Sequence, residues 1–452
     1  MNPLLHGDLF SDVFTTVEMR AVFDEGEFIS AFLEAEAALA RAEASAGTVP
    51  EEAAATISDN ASVEGLDREQ VAANVEEMGL FSMAIIEAWK DELGPAGEYV
   101  HWGASTQDIS DTALVLLLRE AHDLILQDLV SVRDRLATLA DEHRATPMVG
   151  RTQHVNGPPT TFGLKTATWV DELDRHIYRL DDVGERLFVV QLAGASGTLA
   201  ALDDRGSEIV ERFAEELDLR VPRVSWTATR DRFAEFLNVL AMVAGTLARI
   251  AREVLFLNRP EVREVRETVP DDELGSSTNP HKRNPVLSQH TVGLARLIRS
   301  NADAMNECLE ALGERDRSAW YVEFALLPES CCNLARMLAN TKQNLAGLTV
   351  RPERMEENLR QSGSLVLSET VMIALAEHVG RQTAHSIVHE NAMQAVETGR
   401  TFRQCLTEDS RVTEHLLEDD IESLTDVTGY TGMATEFVGN VLDSLDDPAD
   451  GT

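Results

Sequence analysis

Lysine is scarce in this chain: Lys90, Lys165, Lys282 and Lys342 are the only four in 452 residues. Basic residues of both kinds number 39 against 78 acidic ones, a formal net charge of -39. That balance argues against a nucleic-acid partner, because phosphate binding needs a basic face, and against an anionic membrane surface. A dense carboxylate surface holds water and repels its own copies, and the fold tolerates it best where salt screens it. The expected setting is a salt-adapted, halophilic cytoplasm. Aromatic residues make up only 5%, which suits helices packed through Ala, Leu and Val rather than a β-sandwich. Cys308, Cys331, Cys332 and Cys405 show no CxxC spacing, so neither a disulfide framework nor a zinc site is expected. They read as small buried hydrophobes in a reducing cell. No window holds eighteen uninterrupted apolar residues, so no membrane span is expected. The opening MNPLLHGDLFSD lacks the basic and apolar regions of a signal peptide.

What the chain has in quantity is helical periodicity. Residues 28 to 47 carry apolar side chains at helical spacing and end at Gly47. Residues 112 to 144 run without Gly or Pro, a rod of about 50 Å at the helical rise. Further helical patterns start at 160, 230 and 286. Strand signals are few, so the expected fold is all-α, a bundle of long helices. LVLLL (114 to 118) and VLAMVAGTLARI (239 to 250) are apolar around most of the helix, which requires burial in the bundle or against another copy; a homo-oligomer is expected. Three helical domains are read: residues 1–110, a central long-helix bundle over 111–356, and a smaller C-terminal part over 357–452.

Four polar interruptions carry the candidate chemistry. HWGASTQD, residues 101–108, offers Ser105, Thr106 and Gln107 ahead of a helix expected to begin near Ser110 or Asp111, an arrangement suited to a carboxylate. GRTQHVNGPPTTFG, residues 150–163, places Arg151, Thr152, Gln153, His154 and Asn156 in extended chain, with Pro158 and Pro159 expected to start the next helix. QLAGASGTLAAL, residues 191–202, contains Gln191 and small residues that allow close packing. GSSTNPHKRNP, residues 275–285, gathers Ser276, Ser277, Lys282 and Asn284 in a loop. A serine acts as a base only where its alkoxide is held by backbone N–H groups and positive charge. Lys282 is a point charge suited to an anionic substrate.

On these loops the chain resembles the fumarase/aspartase lyase superfamily. The signature GSSxMPxKxN reads GSSTNPHKRN here, with Asn279 in place of Met, and HWGASTQDISDTA and PTTFG are companion motifs. The resemblance implies a homotetramer with a 20-helix core and active sites where three subunits meet. It implies β-elimination or addition next to a carboxylate on a small polycarboxylate substrate, with no metal or other cofactor. Ser276 would be the base, and Lys282 and Asn284 would steady an aci-carboxylate. Ser105, Thr106 and Thr152 would hold substrate carboxylates, with His101, Arg151, Asn156, Gln191, Arg230 and Ser277 also lining the substrate. The proton donor of related enzymes is a His where this chain has Asn156, which leaves His154, two residues earlier, as the candidate acid.

The segments 11–50, 96–121 and 319–329 look most like the 3-carboxy-cis,cis-muconate cycloisomerase branch. PTTFGLK, PHKRNP and ERDRS (314 to 318) are shared with adenylosuccinate lyases. Against that second branch, residues 66 to 100 contain no His, and Glu323 is followed by Phe324 rather than a phosphate-gripping Arg. Another fumarate-releasing lyase and a catalytically silent homologue are the remaining readings. The silent reading draws on the lost His at 156 and on WTATRD (226 to 231), where the cycloisomerases carry a His.

Overall fold

The structure, a computed structural model, describes residues 10–268 and 283–446. Among the described residues there are eighteen α-helices and two short two-stranded ribbons, so the fold is all-α. The long helices are Glu25–Ser45, Thr106–Glu142, Phe162–Leu187, Asp231–Leu257, Val286–Asn306 and Arg317–Gly347. Arg317–Gly347 continues through Pro328, whose missing N–H withdraws a donor from the carbonyl four residues earlier. No described helix is long and apolar enough to cross a membrane.

The chain divides into two compact units. The first takes its described residues from Met1–Val130, His176–Ala248 and His290–Asn340; the second from Ser131–Arg175, Arg249–Gln289 and Thr341–Thr452. In the first unit the apolar run of residues 113–118 is buried within the chain at Ala113, Leu114, Val115, Leu117 and Leu118. Trp226 and Trp89 are buried whole, and their indole N–H groups donate to Val190 O and Asn60 O at 2.9 and 3.1 Å. Both large rings thus enter the core without an orphaned donor.

The second unit holds both ribbons. Strands Pro147–Thr152 and Val155–Thr161 pair antiparallel and close on the two-residue turn Gln153–His154. Both turn residues have positive φ, 54° and 65°, the signature of a type I′ turn formed here without glycine. A register shift falls between Val149 and Gly150, where an added Cβ at Gly150 would lie 2.2 Å from Pro158 O. The expected loop is therefore a hairpin. Pro158 and Pro159 lie in its second strand and do not open the following helix. That helix starts at Phe162, with the Thr161 hydroxyl accepting from the Leu164 N–H at 3.0 Å. Met148, Phe162, Val254, Leu257, Val265 and Met355 form the apolar seat of the hairpin. A separate cluster, including Leu375, Ile387, Phe402, Leu406 and Ile421, fills the helices of the C-terminal region.

Candidate active site

In the first unit the HWGASTQD segment is wired more tightly than its composition suggests. The helix begins at Thr106, four residues or more ahead of the start expected from sequence. The reason is Asp108: its carboxylate reaches back to the Ser105 N–H at 2.9 Å while Asp108 N–H donates to Ser105 O at 2.8 Å, which makes Ser105 the cap. Ser110 and Thr112 turn their hydroxyls back to Thr106 O and Asp108 O, both at 2.8 Å. Thr106 therefore stands in the first turn of a 37-residue helix, where N–H groups and the helix dipole favour an anion.

Two groups fasten this segment to residues 191–197. The same Asp108 oxygen accepts from the Gly194 N–H at 2.9 Å. Gly194 has φ +70°, and a Cβ there would meet Gly103 O at 3.2 Å, so the turn needs glycine twice over. Arg315 donates to Ser105 Oγ at 2.6 Å and to Gly194 O at 2.9 Å. With a guanidinium occupying a lone pair, the Ser105 O–H remains a donor for a carboxylate. Burial pushes the Asp108 carboxyl up, opposed by the backbone donors and by Arg315. Its other oxygen is buried without a hydrogen-bond partner.

Gln191 is fully buried. Its backbone N–H donates to Thr112 Oγ1 at 3.0 Å, its side-chain oxygen accepts from Trp226 N–H at 3.2 Å, and its amide nitrogen has no partner. Arg230 is buried between Asp111 and Glu323. Nε and Nη2 reach Glu323 at 2.7 and 2.5 Å, Nη1 and Nη2 reach Asp111 at 2.8 and 3.0 Å, and Nη1 also reaches Thr227 O at 3.4 Å. All five N–H donors of the guanidinium are thereby used inside the unit. The cation also lies 5.3 Å from the Trp226 ring and 5.0 Å from Phe233.

His101 has φ 62° and is gripped by one residue that the sequence reading did not single out. Glu36 accepts the His101 backbone N–H at 3.1 Å and faces ring Nδ1 at 2.6 Å. Burial opposes the imidazolium, but Glu36 and Asp108 outweigh it and hold the imidazole above its ordinary range. Seven residues along the same helix, Glu43 is buried with both oxygens unpartnered. Burial, with Glu36 beside it, pushes this carboxyl up to about 9. A carboxyl raised in the folded state stabilises the fold fully below its unfolded value, and that stability is lost as pH rises through the folded one. Between pH 5 and 8 the Glu43 contribution is expected to fall by about 4 kcal/mol. Glu43→Met removes the titration, so its gain in guanidinium denaturation should be large at pH 8 and small at pH 5. A gain equal at both pH values would contradict this account.

In the second unit the hairpin carries four of the expected residues. Arg151 and Asn156 are cross-strand partners. Arg151 makes a bidentate pair with buried Glu264, at 2.9 and 2.5 Å, and lies 5.3 Å from the Phe256 ring. Asn156 Nδ2 donates to Ser362 Oγ at 2.9 Å. Thr152 and His154 are exposed, His154 at the tip of the turn. Asn284 is half-buried at the start of the helix Val286–Asn306. Glu267 accepts from the Leu287 and Ser288 N–H groups of that helix at 2.9 and 3.0 Å. Ser276, Ser277 and Lys282 lie outside the described residues.

This architecture and these motifs have close counterparts. A family profile described as "Lyase" matches residues 13–299, and one described as "Adenylosuccinate lyase C-terminus" matches residues 364–441. The chain is 37% identical over 434 residues to N-acetyl-S-(2-succino)cysteine lyase of Dickeya dadantii, covering 96% of each chain. It is 38% identical over 432 residues to adenylosuccinate lyase of Pyrococcus horikoshii, covering 95% of this chain and 96% of the other. The crystal structure of 3-carboxy-cis,cis-muconate lactonizing enzyme from Pseudomonas putida superposes with a TM-score of 0.89 at 36% identity, covering 97% of this chain and 99% of that one. With the all-helical fold and the HWGASTQD wiring, these likenesses give one conclusion: the chain belongs to the fumarase/aspartase superfamily of lyases and cycloisomerases.

Proposed function

We propose that Ser276 carries the proton at the carbon next to a carboxylate, removing it as base in elimination and returning it to the aci-carboxylate after a substrate carboxylate has added across the double bond, and that the substrate is a small polycarboxylate without a nucleotide, of the 3-carboxy-cis,cis-muconate kind. The observation that carries the substrate choice is Phe324. At the position where adenylosuccinate lyases are expected to carry an arginine, this ring packs into an aromatic cluster. It lies 5.5 Å from Phe28, 5.3 Å from Phe81 and 5.5 Å from Trp320. A phosphate meeting that cluster finds apolar ring edges in place of a bidentate cation.

The remaining roles follow from charge. The carbanion is held as an aci-carboxylate, whose two negative oxygens need donors and a cation; Lys282 and Asn284 are assigned to it. Ser105 with its hydroxyl freed to donate, Thr106 at the helix N-terminus, His101 and Thr152 take the substrate carboxylates. Asn156 cannot deliver a proton near neutral pH, so the acid is assigned to exposed His154. Met242 and Leu297 are 45% and 39% exposed on their long helices, apolar material for the homotetramer characteristic of the superfamily.

A second reading, cleavage of a succinylated thiol, is favoured by the 37% identity to the Dickeya enzyme across 96% of both chains. It shares the absence of a nucleotide. Calorimetric titration with adenosine monophosphate in high salt therefore tests both: no heat of binding is expected. Binding in the micromolar range would return the nucleotide reading.

A further inference from the structure

The Glu36–His101 contact is not explained by packing alone. A residue other than glycine at φ 62° carries backbone strain, and here one carboxylate meets both its main chain and its ring. Glu36 Oε2 accepts the His101 backbone N–H at 3.1 Å, and Oε1 faces Nδ1 at 2.6 Å. Glu36 is 1% exposed, so a carboxylate has been taken out of water for this purpose. Nδ1 is committed, which fixes the hydrogen there and leaves Nε2 as the ring's remaining hydrogen-bonding atom. Four and five residues on stand Ser105 and Thr106, the groups assigned to substrate carboxylates.

We propose that Glu36 is a positioning residue, acting through His101, that presents the imidazole Nε2 as a cationic donor to an anionic group of the substrate. This rests on the reading of the site as a carboxylate-handling lyase. It also answers a problem set by the chain's net charge of -39: an anionic substrate needs local cations to overcome the surrounding field, and His101 joins Arg315 in supplying them. The titratable and charged groups facing the array are Glu36 and Asp108 around His101, and Glu43 beside Glu36. Glu43 is held neutral near pH 7, so it adds no second negative charge next to the Glu36–His101 pair.

The test uses the full-length protein with ¹³C-labelled histidine, the His101 resonance being identified by its loss in His101→Gln. In Glu36→Gln the imidazole loses its main opposing charge while remaining buried, so its titration midpoint should fall by about one pH unit or more. Fumarate, used as the dicarboxylate probe, should bind about tenfold more weakly to Glu36→Gln at pH values between the two measured His101 midpoints and close to normally below the variant's own midpoint, where the ring is charged in both proteins. Glu36→Asp, which keeps the charge, should restore part of the midpoint and part of the binding. Adding Glu36→Gln to His101→Gln should weaken fumarate no further, because one acts through the other. An unmoved His101 midpoint in Glu36→Gln, or losses that multiply in the double variant, would overturn the proposal. Failure of the wild-type protein to bind fumarate would count against the functional reading instead, since the midpoint is measured without any ligand.

Discussion

Arg230→Met is expected to cost the protein about 3–5 kcal/mol of stability, the range for removing one partner of a buried ion pair. The magnitude follows from what the guanidinium leaves behind. Asp111 and Glu323 are both 0% exposed, and each makes two contacts to Arg230 between 2.5 and 3.0 Å. Without the cation, two buried carboxylates face each other across a cavity lined by Trp226 and Phe233. The repair open to them is to take up protons, so the deficit should be smaller at pH 5 than at pH 8. Burial already pushes the Glu323 carboxyl up, with Arg230 opposing it. Urea denaturation of both proteins at the two pH values measures this. A variant as stable as the parent at pH 8 would show that the cluster is not the keystone its geometry implies, and would free Arg230 for a role at the substrate.

The sequence reading placed Arg230 at the substrate because the superfamily resemblance implies it. What it could not see is where the partners lie: Asp111 is 119 residues away and Glu323 is 93, and no local pattern reports that all five donors are taken. Arg151 is a similar case, since its carboxylate, Glu264, is 113 residues distant. The long helices were legible because apolar periodicity is a local property. The helix start at Thr106 was legible in principle: Ser105 followed three residues later by an acidic side chain is a capping pattern, and Asp108 fits it. The hairpin at 147–161 was hidden because its turn, Gln153–His154, contains neither glycine nor asparagine. Glu36 left a faint trace. In EAEAALARAE, Glu36 and Glu43 are seven residues apart on the face otherwise filled by alanine and leucine, and acidic residues on an apolar stripe ask for a reason. Arg315 stood within a segment singled out for resemblance alone, and its bond to Ser105 Oγ spans 210 residues.

Ser276→Ala is expected to lower turnover by at least about 10³-fold. A serine hydroxyl does not lose its proton near neutral pH unless the surroundings favour the alkoxide, and the motif GSSTNPHKRN supplies glycine for close backbone approach and Lys282 as a nearby cation. On the proposed assignment, removing one oxygen deletes the proton-transfer group while leaving the cation and the groups proposed to hold carboxylates, Ser105, Thr106 and His101. Binding should then survive while chemistry does not, a loss in kcat with little change in the dissociation constant of fumarate. That pattern separates a base from a residue that only shapes the loop, whose replacement would weaken binding too.

The most direct measurement is the loss of 3-carboxy-cis,cis-muconate absorbance in high salt, followed side by side for the wild-type protein and Ser276→Ala, with adenylosuccinate and N-acetyl-S-(2-succino)cysteine in parallel. The account predicts that the wild-type protein consumes the muconate and leaves adenylosuccinate intact, and that Ser276→Ala consumes neither. Release of fumarate from adenylosuccinate by the wild-type protein, or muconate turnover by Ser276→Ala at the parent rate, would contradict it.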